Sequence, residues 1–501
     1  MQIKRHARLA TALCFAASAA CAQPIDALRT AVEQAVNTNP EVAARFNAYR
    51  ASADAVDVAR AGYFPRLDVT ASIGRDSDRN SGLNPENRSV SRSAAGLSLT
   101  QLLWDGLGTR SEVARFGHDR LARYFELRDT TELIALEAAR AHFDVQRYRR
   151  LVQLAEDNYV QHRYAFLQIQ SRVRAGVGRG VDLEQANARI ALAESNLTSE
   201  VANLHDVTTR YQRIVGVAPP LDLPAAAPLR EGVPASAAEA MALAIRQSAA
   251  ISASIEGLRA ARSLVEAREA AFQPRVEARL RSSFGRNLDG IQDQSRNNSA
   301  EIVLNWNLFN GGADQARVRQ QTGLLRQAGD LRDKTCRDTR QTTAIAFNDT
   351  RKLADQLVYL ERNTAAIEKA RDAYRQQFDI GQRSLLDLLN AENEVYTARR
   401  AHANARVDLD HAFARTHAAM YQLVAQVGLS PAEPAAAEAE GWDAGTDAPT
   451  RCPLIPVDAG SLSRPELDAR AAGMATRTPP LAPPPGFAPR AVPTPPPTRR
   501  P

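Results

Sequence analysis

Residues 176–186, GVGRGVDLEQA, decide the fold, because residues 381–391, GQRSLLDLLNA, repeat their pattern about two hundred residues later. Each stretch carries a glycine, then an apolar residue followed by Asp-Leu, and then an alanine, all at the same spacing. The matching positions are Gly176, Val181, Asp182, Leu183 and Ala186 in the first copy and Gly381, Leu386, Asp387, Leu388 and Ala391 in the second. Each glycine interrupts a helical pattern, so Gly176 and Gly381 are predicted helix breaks.

Further matches at nearly the same offset indicate a duplicated chain. The motif WDG precedes a helical pattern in the first half, and FNG precedes one in the second. The turns that they predict, from a strand into a helix, contain Asp105, Gly106, Asn310 and Gly311. We predict one architecture of two repeats, at about 26–216 and 237–428, within a protomer of residues 23–430.

Each repeat is predicted to contain a helix, a strand pair, a very long helix, a glycine break and another helix. The predicted segments are 26–62, 66–102, 106–174 and 182–215 in the first repeat and 237–272, 275–308, 312–379 and 384–427 in the second. The polar stretches 75–92 and 286–299, between the strands of each pair, are predicted to be exposed loops. Trp306 alternates with Asn305 and Asn307, which fits a strand between lipid and water or an ordinary half-buried hairpin equally well.

The long helices are the more specific feature, because about 65 residues at 1.5 Å each span on the order of 100 Å. Their apolar positions alternate spacings of four and three residues, which is a heptad pattern. The seam positions are Tyr148, Val152, Ala155, Tyr159, His162, Phe166, Ile169 and Val173 in the first repeat and Leu353, Leu357, Leu360, Thr364, Ile367, Arg371, Tyr374 and Phe378 in the second. We interpret His162 as a seam residue, since no ligand-spaced partners make a metal site.

The chain begins like a secretory signal peptide, with basic residues, an apolar run and an A-x-A cleavage site that ends at residue 22. Acylation of Cys21 is the alternative. Of the later cysteines, Cys336 and Cys452 are interpreted as incidental and not as a disulfide framework. No later stretch approaches the roughly 20 apolar residues of a membrane-spanning helix, so any membrane insertion would use strands.

Composition narrows the function further. The net charge is +6. Acidic and basic residues are interspersed along the predicted helices, and the basic ones do not form a continuous stripe, which argues against nucleic-acid binding. Residues 431–501 hold 17 of the 27 prolines, and this Ala/Pro-rich tail is predicted to be disordered. The sequence GVGRG at 176–180 resembles a phosphate loop but follows a helix and lacks the rest of that motif. We therefore predict no enzymatic activity and no cofactor.

The motifs together resemble the TolC family of bacterial outer-membrane exit ducts. The resemblance rests on the two glycine phrases, on WDG and FNG, and on residues 62–65, GYFP. It implies a mainly α fold with a small β part: long antiparallel helical hairpins form a periplasmic α-barrel, and four strands per protomer contribute to a 12-stranded outer-membrane β-barrel shared by a homotrimer. Four strands cannot close a barrel alone, and a bilayer excludes open sheet edges, which independently requires further copies.

The resemblance also implies a narrow, acidic entrance after the second glycine break. Asp387 matches an acidic position of that constriction, and Asn390 stands where the family's tightest members have a second aspartate. Close like charges around an axis favour cations. The alternative is that Asp387 is a first-turn carboxylate favoured by the helix dipole.

Gate contacts in the family match four positions here: Phe378, Arg383, Val181 and Asp182. Phe378 lacks the tyrosine hydroxyl of the best-known member, and Val181 replaces a hydroxyl residue. We therefore expect a closed state held differently, by a pair between Arg383 and Asp182.

The resemblance implies a passive outer-membrane duct of a Gram-negative bacterium, extending into the periplasm among outer-membrane lipids. It would join an inner-membrane ABC or proton-driven transporter through a periplasmic adaptor protein. Many efflux ducts of this family are lipoproteins, whereas the residues before Cys21 match a lipoprotein acylation motif only weakly. This weak match and the sequence LLDLLNAENE at 385–394 favour type I protein secretion over multidrug efflux. A coiled-coil surface scaffold without a pore is the alternative from another class.

Overall fold

The computed structural model describes residues 25–80, 84–226, 228–287, 293–430, 441–445, 452–455 and 464–475. The predicted signal peptide and Cys21 lie outside these residues. The chain divides into two compact units, Met1–Leu454 and Ile455–Pro501. The described part of the second unit is Ile455 and one helix, given below as α10. Among the described helices, none is both long enough and apolar enough to cross a membrane.

The two repeats present the same order of elements. The helices of the first are α1 (Ile25–Thr38), α2 (Pro40–Arg60), α3 (Gly108–Arg174) and α4 (Gly180–Val215). Those that follow are α5 (Ala237–Gln247), α6 (Ala249–Glu269), α7 (Ala313–Asp379), α8 (Leu385–Ala419), α9 (Leu423–Gln426) and α10 (Arg464–Ala475). The predicted mainly helical fold with a small sheet is confirmed.

Each helix predicted at the start of a repeat is divided in two by a capping residue. Asn39 accepts a hydrogen bond at Oδ1 from the Glu41 amide at 2.9 Å and starts α2, with Pro40 at its first position. Ser248 accepts at Oγ from the Ile251 amide at 3.1 Å and starts α6. Both side chains satisfy amides that a helix start leaves unpaired, so each begins a new helix with a new direction.

The strands form one antiparallel sheet in the order β1-β2-β3-β4. Their bounds are β1 Arg66–Asn80, β2 Asn84–Trp104, β3 Arg275–Arg286 and β4 Gln294–Asn305. The central pair, β2 and β3, joins the two repeats, with Ser93 opposite Arg286. Within one protomer β1 and β4 are therefore edge strands, each with one row of backbone groups that no strand of this sheet pairs.

The prediction of long exposed loops within the hairpins is wrong for most of both stretches. Pairing of β1 with β2 continues to Asn80 opposite Asn84, and pairing of β3 with β4 continues to Arg286 opposite Gln294. Ladder hydrogen bonds use main-chain groups only, so polar side chains do not stop pairing where neither face needs an apolar cover. The strands consequently extend well beyond their apolar portions.

The turns into the long helices occupy the predicted positions. Asp105 Oδ2 accepts hydrogen bonds from the amide and the hydroxyl of Thr109 at 2.8 and 2.6 Å, and Gly106 follows with φ +68°. In the second repeat Asn310 Oδ1 accepts from the Asp314 amide at 3.4 Å, and Gly311 has φ +71°. Both turns place a side-chain acceptor over the first turn of a 67-residue helix.

Gly106→Ala is expected to destabilise the fold more than the equivalent substitution Gly311→Ala. A Cβ at Gly106 would lie 2.5 Å from Cβ of Gln273, whereas a Cβ at Gly311 meets open space. Both glycines have positive φ, so both variants incur backbone strain of about 1 kcal/mol, and Gly106→Ala adds overpacking of roughly 1–3 kcal/mol. Thermal unfolding of the purified proteins measures the difference. Equal midpoints for the two variants would contradict this account.

Burial follows the predicted seams of the long helices. All sixteen seam positions are buried or half-buried, including Ala155, His162, Leu353 and Phe378. Burial also lowers the pKa of the His162 imidazole, as expected for a packed seam residue. The long helices thus pack as coiled coils along their lower halves, α3 against α4 and α7 against α8.

The largest core cluster surrounds the middle of α3, where α1, α4, α8 and α9 pack against it. Glu132 of α3 is 8 % exposed in this region. Its carboxylate accepts hydrogen bonds from the amides of Leu423 and Val424, at the start of α9. Burial nevertheless dominates and raises the pKa of Glu132 to about 8.

The contribution of Glu132 to stability is expected to fall between about pH 4.5 and pH 8. The unfolded chain ionises this carboxyl near its ordinary pKa of 4.5, while the folded protein keeps the proton until about pH 8. Its contribution is therefore complete below pH 4.5 and is lost as pH rises, by up to about 5 kcal/mol. Glu132→Gln, which keeps the acceptor, should remove this contribution, so its stability relative to wild type should rise between pH 4.5 and pH 8 in denaturant unfolding. Glu194→Gln, at an exposed site, should show no such change relative to wild type. A difference between wild type and Glu132→Gln that does not vary with pH would assign the effect elsewhere.

The predictions for the later cysteines and the tail need correction. Cys336 and Cys452 form a disulfide bond, so they are not incidental. The prediction of a disordered tail is wrong for residues 441–445 and 452–454, which pack on the helices, and for α10. The physical reason is local: Trp442 supplies a large apolar side chain, and Cys452 a covalent anchor, in an otherwise Ala/Pro-rich segment. The remaining tail residues lie outside the described ranges.

Candidate functional site: the paired helix tips

Two helical hairpins end at the predicted glycine breaks. Gly176 has φ +72° and Gly381 has φ +77°, the left-handed conformation that ends a helix. Beyond each glycine the chain folds back on the helix: the Val177 amide donates to the Arg172 carbonyl at 3.0 Å, and the Gln382 amide to the Gln377 carbonyl at 2.8 Å. These bonds satisfy the last carbonyls of α3 and α7, so each hairpin reverses within a few residues.

An apolar cluster joins the two hairpins just above their tips. Phe378 of α7 is 6 % exposed in this cluster. Its buried neighbours come from α3, α4 and α8 and are Ala165, Ile169, Ala186, Leu385, Leu388 and Leu389. The guanidinium of Arg172 lies 4.9 Å from the centre of the Phe378 ring, in the position of a cation–π contact. Phe378 therefore links the hairpins through packing, without a hydroxyl group.

Two hydrogen bonds connect the hairpins across this cluster. Arg189 Nη2 on α4 donates to Asn390 Oδ1 on α8 at 2.7 Å. Arg375 Nη2 on α7 donates to Gln161 Oε1 on α3 at 2.7 Å. Asn390 stands at the position where the family's tightest members are expected to have a second aspartate. Here its side-chain amide accepts a hydrogen bond from the cationic side chain of Arg189.

Glu392 is the functional candidate that sequence reasoning missed. This α8 residue is 5 % exposed and pairs with two arginines of α7, Arg371 at 3.1 Å and Arg375 at 2.5 Å. Arg375 is the residue that also reaches Gln161, so the carboxylate orients a bond between the hairpins. The sequence does contain a signal for this ion pair. An arginine at seam position 371 is buried more favourably beside an acid, and Glu392 lies on the apolar side of α8.

A second buried acid marks the seam between α4 and α8 farther from the tips. Glu200 of α4 is 2 % exposed, and its Oε1 pairs with Arg400 Nη2 of α8 at 2.6 Å. It lies eleven residues along α4 from Arg189, or roughly 16 Å at the helical rise. The contacts between the hairpins therefore form a series that starts at the tips and continues up the inner seam.

Asp387 lies in the first turn of α8, as predicted, with its side chain 40 % exposed. Its amide donates to Ser384 Oγ at 3.2 Å, and the Ser384 hydroxyl donates to Asp387 Oδ2 at 2.9 Å. Arg383 Nη1 lies 3.6 Å from the same carboxylate oxygen. Within the protomer, capping of α8 accounts for these contacts.

Within the protomer Arg383 has other partners, and its pair with Asp182 stays a prediction. Arg383 instead donates from Nε to Gln377 Oε1 at 2.9 Å, lies beside Asp387, and stacks 4.5 Å from the centre of the Tyr374 ring. These partners lie within nine residues of Arg383 in the same hairpin. Asp182 lies in the first turn of α4, and Val181 is exposed.

The fold is that of an outer-membrane channel protomer, in which a strand pair in each repeat continues into a helical hairpin. The family described as outer membrane efflux protein matches residues 31–215 and 240–420, and the chain belongs to this family. The predicted membership of the TolC family is confirmed. The protein is accordingly located in the outer membrane of a Gram-negative cell and extends into the periplasm.

Individual relatives agree with this assignment. The chain is 27 % identical to the outer membrane efflux protein BepC of Brucella suis, over 75 % of this chain and 82 % of the relative. It is 26 % identical to the alkaline protease secretion protein AprF of Pseudomonas aeruginosa, over 76 % and 81 %. The Campylobacter jejuni CmeC outer membrane channel has the same fold, with a TM-score of 0.72 and 15 % identity over 83 % of this chain and 89 % of that one.

Proposed function

We propose that three copies of this chain form a passive exit duct of a tripartite export system. The observation that carries the proposal is the four-stranded sheet. Its outer strands β1 and β4 each have one edge that no strand of the same protomer's sheet pairs. Apolar side chains on these strands are exposed, among them Val69, Ile73 and Ile302. Pairing of β4 with β1 of the next copy would satisfy both edges and close twelve strands around one axis.

The helices supply the length that such a duct needs. A helix of 67 residues spans on the order of 100 Å, and α3 and α7 provide two of these per protomer. No catalysis or cofactor enters the proposal. Energy would come from an inner-membrane ABC or proton-driven transporter, joined through a periplasmic adaptor protein.

We place the entrance of the duct at the paired helix tips. In a trimer, three copies of Asp387 would surround the axis, with Asn390 one turn above and bound to Arg189. The constriction would then hold one acidic ring and one amide ring beside three guanidinium groups. This arrangement favours cations through Asp387 alone.

Type I protein secretion is the role that we propose for the duct. The phrase at residues 385–394 favours it, and two relatives are named for protease secretion, AprF and PrtF of Dickeya chrysanthemi. Multidrug efflux is the second candidate, supported by the match to BepC. Deleting the gene separates the two roles: loss of a secreted protein from the medium with unchanged drug susceptibility supports secretion, and the converse supports efflux.

Planar-bilayer recording tests the duct itself. Purified trimer should give small, cation-selective single-channel currents that added divalent cations block. Asp387→Ala should lose the block, while Asp182→Ala, the equivalent position of the first repeat, should keep it. Conductance with a block that is insensitive to Asp387 would retain the duct and move the constriction elsewhere. Absence of current from folded trimer would favour the alternative of a coiled-coil surface scaffold without a pore.

A further inference from the structure

A short part of the tail packs on α3, α6 and α7. We call the described residues 441–445 and 452–454 the strap. Trp442 packs edge-on against Phe125 of α3, with the ring centres 4.8 Å apart. Its indole Nε1 donates to Oε1 of Glu256 on α6 at 2.7 Å, and Glu256 is completely buried. One side chain of the strap therefore contacts both repeats.

Two arginines hold the strap through its main chain. Arg259 of α6 donates from Nη2 to the Asp443 carbonyl at 2.8 Å. Arg340 of α7 donates from Nη1 to the Pro453 carbonyl at 2.7 Å. These bonds do not depend on the identity of the strap side chains, but they depend on the strap lying in register over α6 and α7.

The disulfide fixes that register. Cys336 of α7 and Cys452 are both buried, their Cα atoms lie 5.6 Å apart, and they pack against Ile251 and Ile255 of α6. The Cα separation is normal for a disulfide. The strap lies outside the segments that match the family.

The non-covalent contacts of the strap are incomplete. A cavity of about 510 Å³ remains between the strap and the helices α5 and α6, and its walls are mostly apolar. Ordering a chain segment costs conformational entropy at every residue, and a cavity means that dispersion contacts which would offset this cost are missing. The bond between Cys336 and Cys452 closes a long loop and limits the freedom of the undocked tail.

We propose that the strap is a redox-fastened clasp, which docks across α3, α6 and α7 when Cys336 and Cys452 are oxidised in the periplasm and is released when they are reduced. In the fastening step the two thiols lose two protons and two electrons and form one S–S bond. A disulfide-carrying oxidant protein accepts them by thiol–disulfide exchange and becomes a dithiol. The periplasm maintains such oxidising conditions.

Hydrogen–deuterium exchange on the full-length purified protein tests the clasp. Reduction of the wild type should raise the exchange rate of amides in the strap and in the facing part of α6 at least tenfold. The variant C336S/C452S should exchange at the reduced rate and should not respond to reductant. Trp442→Ala, which keeps the disulfide, should show a smaller increase.

Two results would overturn the proposal. One is equal exchange in the strap before and after reduction of the wild type, because the contacts alone would then hold it. The other is alkylation of Cys336 and Cys452 in protein purified without reductant, because no bond would then have formed. The comparison of oxidised and reduced wild type remains decisive if C336S/C452S fails to fold.

Discussion

Replacing Glu392 with alanine is expected to loosen the entrance and to enlarge the resting conductance several-fold. The substitution removes the buried partner of Arg371 and Arg375. Removing one member of a buried ion pair lowers the free energy of unfolding by about 3–5 kcal/mol. Because Asp372 still pairs with Arg371 at 2.7 Å, we expect a loss at the lower end of this range. Arg375 also loses the group that orients it toward Gln161, so one of the two hydrogen bonds across the apolar cluster at the tips weakens.

Single-channel recording and denaturant unfolding measure the two parts of this prediction. Glu394→Ala is the matched control, because Glu394 is exposed on the same helix two residues away. Glu392→Gln keeps the side-chain volume and one acceptor, and it should fall between wild type and Glu392→Ala. Wild-type conductance in a destabilised Glu392→Ala trimer would separate this ion pair from gating and leave it a purely structural role.

Phe378→Ala is the second substitution with a large expected effect. Phe378 is the aromatic side chain around which α3, α4 and α8 meet at the tips. Truncation of a buried phenylalanine costs about 3–5 kcal/mol, and the cation–π contact with Arg172 is lost as well. Since this cluster joins the hairpins, we expect entrances that open more often and for longer.

The dwell times of open and closed currents test this expectation. Phe378→Leu keeps most of the apolar volume and should remain close to wild type, and Ile380→Ala, at an exposed site on the same tip, should be neutral. Phe378→Tyr places a hydroxyl in an apolar cluster without providing a partner, so it should not tighten closure. Longer closed times in Phe378→Tyr would show that a hydroxyl contact at this position is accessible after all.

The helices, strands and turns followed from local patterns, and the reasons are physical. Glycine in a left-handed conformation, an acceptor before a helix and a heptad seam each leave a signal within a few residues of sequence. The separation of α1 from α2 at Asn39 was missed because a single capping residue interrupts an otherwise continuous helical pattern. The strand extensions were missed because main-chain pairing leaves no side-chain signal.

The contacts of the site were less predictable than its location. Sequence reasoning located the glycine breaks at the tips, while the roles of Phe378 and Asp387 and the pair of Arg383 with Asp182 stay predictions. Which of several acids an arginine meets depends on side-chain reach in three dimensions, and Arg383 found Asp387 one turn away. Glu392 pairs with two arginines of the neighbouring helix α7, and the chain offers several acids near them. The bond between Cys336 and Cys452 joins α7 to a segment outside the repeats, where an offset between two halves carries no information.

The pairing of β2 with β3 has a consequence for the order of folding. Ser93 lies opposite Arg286, and α3, α4, α5 and α6 all lie in the chain between them. Contacts at such sequence separation form slowly, because the chain entropy of a long loop must be lost first. The helices of the first repeat can fold locally, whereas the sheet exists until then only as two separate hairpins with four open edges. The nascent protein therefore passes through a period in which its open strand edges can pair with other chains.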